Sequence, residues 1–272
     1  MFIKDLAVYV DNDGEAPKRI ELAMALAERH NAEVTAVYIR RPIYSPKYIG
    51  TYIPADVVEQ LERVADAEER EARDTFSSIL SRSNVESHWH SSTDSPARAL
   101  TMVGRNMDLL VLRPDNEDEG VHRHYRPGEV VLSVGRPVLL AAGPNASREP
   151  VSHAVIAWSG TRESTRAVHD ALPMLSLCKR VSAVTFGEPA YGDMPLPDVT
   201  QHLARHGITA DWQRLPNAYA DTGLALAAFV EESGADLIVA GAYGHSRLLE
   251  MVLGGVTRYL LQHSTVPVLM SH

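Results

Sequence analysis

The chain has 272 residues, of which 45% are hydrophobic and 22% charged, close to the averages of globular proteins. Its 35 aspartates and glutamates outnumber 26 lysines and arginines, giving a formal net charge of -9. This composition excludes disorder, collagen and coiled coil for the chain as a whole, and it argues against a protein that wraps nucleic acid. A single cysteine, Cys178, excludes an internal disulfide.

Strands and helices are predicted to alternate along the first half of the chain. The strands are expected at residues 6–10, 33–39, 86–90, 109–112 and 137–140. The helices are expected at residues 17–30, 55–81 and 96–106, with a short one before the last strand. Apolar runs such as residues 109–112 do not alternate with polar residues, so both faces of these strands should be covered. That pattern is typical of a parallel sheet with helices on each side.

The second half repeats the landmarks of the first. The sequence DLLVL at residues 108–112 recurs as DLIVA at residues 236–240, and RPVLL at 136–140 recurs as VPVLM at 266–270. We therefore predict an α/β protein of two tandem Rossmann-like, doubly wound domains, each with a mainly parallel five-stranded sheet. The domains are expected at residues 1–143 and 151–272, joined by a linker containing Gly, Pro and Ser.

The predicted helix at residues 55–81 is strongly charged and has no counterpart in the second half. Its apolar positions mark one face, at Val57, Val58, Leu61, Val64 and Ala65. The favoured interpretation is a solvated helix lying over a sheet. A lid over a ligand and a subunit contact stay open as alternatives.

A glycine pattern follows the predicted strand at residues 237–240. Gly241 and Gly244 are separated by nine residues from Gly254 and Gly255, which open a helix. Ligands of open parallel sheets bind beyond the carboxyl ends of the strands. Glycine lets the backbone approach a ligand closely, and a helix start presents free N–H groups to an anion. The pattern favours a phosphate cradle, although on spacing alone ordinary turns are equally consistent with it.

This glycine pattern, with Val256, Thr257 and the closing VPVL at residues 266–269, resembles the ATP-binding signature of the universal stress protein family. The start of the second half, residues 155–164, resembles the family's first strand and helix start. The resemblance implies a Rossmann-like fold, binding of ATP or AMP with Mg²⁺ as a further candidate ligand, and a role in stress tolerance as a sensor or regulator. The candidate nucleotide-binding residues are Ala157, Trp158, Ser159, Gly241, Gly244, His245, Gly254, Gly255, Val256 and Thr257.

Two positions depart from the family pattern. Gly255 stands where ATP-binding members carry Ser or Thr, which removes a hydrogen bond worth about 1 kcal/mol. Ser159 stands where those members carry an Asp near the adenine. Thr257 remains as a hydroxyl for the phosphates. We expect weakened binding of the nucleotide rather than its loss.

The first half shows the opposite losses. Asp11 lies where the family's first-strand Asp belongs, but no spaced glycine pair follows Leu112. The carboxylates of Asp115, Glu117, Asp118 and Glu119 would repel a triphosphate. We expect a degenerate domain that binds no nucleotide and packs against the second. Because single-domain relatives commonly pair through their last strands, the resemblance implies an internal pseudo-dimer, with a further homodimer and an unidentified protein partner left open.

Parts of the sequence are also consistent with other functions. Residues 159–164, SGTRES, come close to the pyrophosphate loop of ATP pyrophosphatases, which would imply an adenylating enzyme, whereas Thr161 as a simple helix cap is the alternative. A nucleotide-free interaction scaffold is a third possibility. His88 and His90 share a strand face and could ligate a metal, but surface histidines are favoured.

No pattern in the sequence declares a nucleophile with its base, so we predict no catalytic residue and at most slow ATP hydrolysis. Cys178 is expected to be a buried small hydrophobe, and Trp158 a core residue. The start of the chain lacks the basic and apolar regions of a signal peptide, and no apolar run approaches the ~18 residues of a membrane span. We therefore expect a cytoplasmic protein that contacts neither membrane nor nucleic acid.

Overall fold

The computed structural model describes residues 3–40, 54–115, 125–143, 146, 152–187, 199–216, 222–244 and 255–272. In the first half, the elements in chain order are β1 (Asp5–Val10), α1 (Ala16–His30), β2 (Glu33–Ile39), α2 (Ala55–Leu80), β3 (Ser87–Ser92), α3 (Pro96–Gly104), β4 (Leu109–Leu112), α4 (Pro127–Val134) and β5 (Val138–Leu140). In the second half they are β6 (His153–Ala157), α5 (Arg162–Leu175), β7 (Arg180–Phe186), α6 (Val199–Arg205), β8 (Ala210–Leu215), α7 (Thr222–Ser233), β9 (Leu237–Gly241), α8 (Gly255–His263) and β10 (Val268–Ser271).

All ten strands form one sheet in the order β3-β2-β1-β4-β5-β10-β9-β6-β7-β8. Neighbouring strands are parallel within each half, and strand order reverses beside β1 and beside β6 as in doubly wound folds. The two halves join through an antiparallel pairing of β5 with β10, in which Leu139 faces Leu269. The predicted α/β class and the duplication are confirmed, and the two five-stranded units form an internal pseudo-dimer through their last strands.

Helices cover both faces of this sheet, as the non-alternating apolar runs predict. The four residues of β4 are each no more than 1% exposed. On one face the strands pack against apolar side chains of α1, the second half of α2, and α5. On the other face they pack against α3, α4, α7 and α8. Burial on both faces explains why these strands are continuously apolar.

Of the five residues predicted to mark the apolar face of helix α2, only Ala65 is buried. Val57, Leu61 and Val64 are 40–51% exposed, so the interpretation of them as the packing face is wrong. The buried residues are Ala65, Ala72, Phe76 and Ile79. Phe76 lies against Trp89 of β3, at 5.9 Å between ring centroids. Only the C-terminal part of the helix therefore covers the sheet, and its first turns leave apolar side chains exposed.

No helix among the described residues is long and apolar enough to cross a membrane.

A buried histidine ties together the first three strands of the second half. His153 of β6 is 6% exposed, and its Nε2 lies 3.1 Å from the Ser182 hydroxyl of β7, which donates to Asp211 of β8 at 2.8 Å. Burial lowers the pKa of His153 from its ordinary value of 6.5, and the positive charge of Arg180 lowers it further. Because the unfolded chain binds this proton more readily, folding stability contributed by His153 is complete above pH 6.5 and is lost as the pH falls toward the lower pKa of the folded protein.

We expect the free energy of unfolding, measured with urea, to be smaller at pH 5.5 than at pH 7.5. His153→Asn should reduce that difference because the titrating group is gone, while the same change at His88, whose side chain is 59% exposed, should leave it unchanged. An equal pH dependence in the wild type and in His153→Asn would contradict this assignment.

Candidate functional site

The described part of the glycine motif lies at the carboxyl ends of two adjacent strands. Gly241 ends β9, which pairs with β6 so that Ala240 faces Ala157. The turn that leaves β6 toward α5 therefore lies directly beside the turn that leaves β9. We call residues 241–244 the glycine loop. The predicted site residues His245 and Gly254 lie outside the described residues.

Gly241 is required by a close approach between backbone segments. A Cβ atom at this position would lie 2.5 Å from the carbonyl carbon of Glu163 and closer still to the backbone nitrogen of Ser164. The first turn of α5 thus packs on the end of β9 at a distance that only glycine permits. This contact fixes how the glycine loop and α5 face one another.

Gly244 brings the loop against polar side chains of the β6–α5 turn. A Cβ on Gly244 would lie 3.2 Å from Glu163 Oε2 and 3.2 Å from Thr161 Oγ1. The Ser159 hydroxyl lies 3.1 Å from that of Thr161. The predicted residues Ser159, Gly241 and Gly244 therefore come together, and Thr161 and Glu163 join them. Both had a signal in the sequence, since they belong to the same SGTRES segment.

The N-terminus of α5 is capped by the chain's own side chains. Thr161 is the N-cap, and its Oγ1 accepts a hydrogen bond from the Ser164 backbone N–H at 3.3 Å. Glu163 accepts a hydrogen bond from its own backbone N–H, and its Oε1 pairs with Arg162 at 2.9 Å. The simple cap considered for Thr161 is thus what the structure has. A pyrophosphate at this helix end would meet capped N–H groups and a carboxylate, which argues against the adenylating enzyme.

Glu163 is charged although it is buried. The residue is 7% exposed. Burial raises the pKa of its carboxyl, but hydrogen bonds from its own backbone and from Arg162 outweigh burial and hold the pKa below its ordinary value. A negative charge therefore lies against the glycine loop at neutral pH.

Helix α8 borders the loop on its other side. Gly255 opens this helix, and a Cβ added there would meet nothing within 4 Å among the described residues. Thr257 is buried, and its hydroxyl accepts a hydrogen bond from Tyr243 N–H at 3.2 Å. Val256 packs at the edge of the core. Thr257 thus holds the glycine loop in place with the hydroxyl that was predicted to face the phosphates.

The other two predicted residues belong mainly to the core. Trp158 is buried and packs in the cluster on the α5 face, as predicted, and its backbone N–H extends the ladder to Val184 at 2.8 Å. Its indole N–H has no hydrogen-bond partner among the described residues. Ala157 packs on the opposite face.

Tyr243 connects the glycine loop to the first domain. It adopts φ of +60°, a left-handed conformation uncommon for a non-glycine residue. Its hydroxyl lies against Gly128 of α4, at a distance that leaves no room for a Cβ there. Its ring meets that of His272 at 6.4 Å between centroids, and His272 Nδ1 lies 3.0 Å from the Ala242 carbonyl oxygen. The loop conformation is therefore held from both domains.

In the first domain, the corresponding position is filled by an ion cluster. Arg19 is 1% exposed; it donates to the Tyr9 carbonyl oxygen at 2.7 Å and pairs with Asp11 and Asp13. Arg113, which follows β4, lies 3.3 Å from the second carboxylate oxygen of Asp11. Asp11, the residue matching the family's first-strand Asp, is thus engaged by two arginines.

Aromatic rings close the same region. Tyr125 stacks on Tyr9 with 5.1 Å between centroids, and its hydroxyl donates to the Arg113 carbonyl oxygen at 3.0 Å. The Arg113 guanidinium lies 4.6 Å from the centre of the Tyr125 ring. Burial raises the pKa of both tyrosines, so both phenols are neutral. The chain itself fills the carboxyl ends of β1 and β4. The predicted carboxylates Glu117, Asp118 and Glu119 lie outside the described residues.

Two further sequence candidates are surface or structural features. The ligand atoms of Glu33, Glu86 and His88 lie within 4.8 Å of one another, but all three residues are exposed, and His90 is not part of the group. Burial raises the pKa of the Cys178 thiol to about 12, and its Sγ donates to the Met174 carbonyl oxygen at 3.4 Å. Cys178 is only partly buried, not fully buried as predicted, and it packs against the core on the α5 face.

The doubly wound halves, the pairing of their last strands and the glycine loop at a strand end define a tandem Rossmann-like α/β protein. Residues 219–272 match the universal stress protein family. Over its whole length the chain is similar to the crystal structure of a universal stress protein from Archaeoglobus fulgidus DSM 4304, with a TM-score of 0.74, 13% identity, and coverage of 99% of this chain and 97% of that one.

A functionally unknown protein from Pseudomonas aeruginosa PAO1 is similar with a TM-score of 0.56, 13% identity, and coverage of 99% and 92%. No curated protein matches the chain. These findings confirm the resemblance to the universal stress protein family: the sequence of residues 219–272 carries it, and the whole chain shares the fold of the Archaeoglobus fulgidus protein.

Proposed function

We propose that the second domain binds one adenine nucleotide, ATP or AMP, and that the protein acts in a stress response as a sensor or regulator rather than as a catalyst. The observation that carries this proposal is the family match over residues 219–272, which includes the glycine loop and the start of α8. The loop lies at the carboxyl ends of β9 and β6, where doubly wound sheets bind their ligands.

The local geometry supports a phosphate at the start of α8 rather than at α5. The N-terminus of α5 is capped by Thr161 and Glu163, whereas Gly255 at the start of α8 has no side chain, and a Cβ there would meet nothing within 4 Å among the described residues. The N–H groups of a helix start, together with the helix dipole, favour an anion. Ser159, which follows β6, would then lie toward the base.

The first domain is proposed to bind no nucleotide. The positive charges of Arg19 and Arg113 are balanced by the carboxylates of Asp11 and Asp13, and the Tyr125 ring covers the Arg113 guanidinium. A nucleotide would have to separate these buried, paired charges. Leaving one such ion buried without its partner costs about 3–5 kcal/mol. Each chain would therefore hold a single, asymmetric site.

The interaction scaffold is the second candidate, and one observation favours it. Val57, Leu61 and Val64 on the first turns of α2 are exposed apolar side chains on a charged helix. Such residues can contact a protein partner whether or not a nucleotide is bound. If the purified protein binds no nucleotide, the scaffold becomes the better account.

Replacing Gly244 by aspartate tests the nucleotide site. The new carboxylate would lie beside Glu163 and face the phosphates, so we expect the affinity for ATP to fall by about tenfold or more, or about 1.4 kcal/mol. Calorimetric titration measures this, with circular dichroism to check folding. Gly14→Asp adds the same charge at an open turn of the first domain and should bind like the wild type. Unchanged affinity in Gly244→Asp would show that the nucleotide does not lie at this loop.

A further inference from the structure

Glu163 places a fixed negative charge where the phosphates of a nucleotide would approach the glycine loop. Its Oε2 lies 3.2 Å from the Cβ position of Gly244, whereas Oε1 is the oxygen that pairs with Arg162. One carboxylate oxygen therefore faces the loop. The neighbouring groups on that side are the hydroxyls of Thr161 and Ser159, which do not neutralise it.

The cation paired with Glu163 compensates this charge only in part. Arg162 has a side chain that is 77% exposed, so water screens its field, whereas the carboxylate it pairs with is 9% exposed. His272 is the other group that favours the ionised carboxylate. Among the described residues, the buried lysines and arginines are Arg19 and Arg113, and both belong to the first domain. At neutral pH a metal-free triphosphate would therefore bring about four negative charges toward a buried carboxylate.

A divalent cation would reverse the sign of this interaction. Mg²⁺ binds proteins through one or two carboxylates together with substrate phosphates and keeps several waters. Glu163, whose Oε2 lies beside the glycine loop, provides such a carboxylate. Resting on the proposed nucleotide site, we propose that Glu163 determines which form of the nucleotide binds: it admits the Mg²⁺ complex of ATP and rejects metal-free ATP.

Titration of the full chain with ATP in Mg²⁺, ATP in EDTA, and adenosine as an uncharged reference tests the proposal. For the wild type we expect Mg²⁺ to increase the affinity for ATP about tenfold or more. Glu163→Gln keeps the size of the side chain and an acceptor for its backbone N–H, so it should raise the affinity for metal-free ATP and reduce the Mg²⁺ effect to about threefold or less. Affinity for adenosine should be equal in both proteins.

Two further variants keep the result interpretable. Glu232→Gln, a matched change at an exposed position of α7, should behave like the wild type. Arg162→Gln removes the exposed cation and leaves the carboxylate less compensated, so the Mg²⁺ effect should increase. The same Mg²⁺ dependence in the wild type and in folded Glu163→Gln, or no increase in Arg162→Gln, overturns the role of Glu163 alone. No binding of ATP or adenosine to the wild type overturns the proposed function as well.

Discussion

Gly241→Ala is expected to destabilise the protein by about 3 kcal/mol, the upper end for overpacking of a core. The added Cβ would meet backbone atoms of Glu163 and Ser164, which cannot rotate away as a side chain could. Helix α5 would have to move off β9, and the packing of Ala167, Val168 and Ala171 against the sheet would loosen with it. Urea unfolding followed by circular dichroism measures the change.

Gly14→Ala is the matched control for this substitution. A Cβ at Gly14 would meet nothing within 4 Å, so we expect stability within about 0.5 kcal/mol of the wild type. If Gly241→Ala is as stable as Gly14→Ala, the close packing of α5 on β9 is wrong, and the geometry of the proposed site is wrong with it.

Arg19→Met is expected to destabilise the first domain by about 3 kcal/mol, because it removes the cation that pairs with both Asp11 and Asp13. Methionine fills much of the same volume as arginine. The loss of stability therefore comes from removing the charge and the hydrogen bond to the Tyr9 carbonyl oxygen rather than from a cavity. Denaturant unfolding again provides the measurement.

Two comparisons separate the charge from other effects of this change. Adding Asp11→Asn to Arg19→Met should restore part of the lost stability, because one uncompensated carboxylate is removed. Arg98→Met breaks an exposed pair with Asp94 and should change stability by about 0.5 kcal/mol or less. No recovery in the double variant would contradict the account of an ion cluster filling the first domain's site.

Most of the fold could be predicted from the sequence because local patterns determine it. Apolar runs such as residues 109–112 and 237–240 indicate strands buried on both faces, and the repeat of DLLVL as DLIVA indicates the duplication. The pairing of β5 with β10 has no such local signal, and here the family resemblance supplied it. The packing face of α2 was predicted correctly only at Ala65, because Val57, Leu61 and Val64 have the same spacing as the buried Ala72, Phe76 and Ile79.

The candidate site could be predicted only in part, because some of its contacts form between segments that are distant in the sequence. Glycine spacing located Gly241 and Gly244, but the sequence does not show that these residues lie against Thr161 and Glu163, since that contact arises from the pairing of β6 with β9. The filling of the first domain's site by Arg19 and Tyr125 likewise depends on residues that are distant in the chain. Charge alone suggested a loss of binding there and could not identify the groups responsible.

Calorimetric titration of the full chain with ATP in the presence of Mg²⁺ tests the asymmetric site most directly, through the number of nucleotides bound at saturation. The account predicts one nucleotide per chain, held by the second domain. Saturation at two nucleotides per chain would show that the ion cluster of the first domain does not exclude a ligand. Absence of binding at millimolar ATP would contradict the nucleotide site itself.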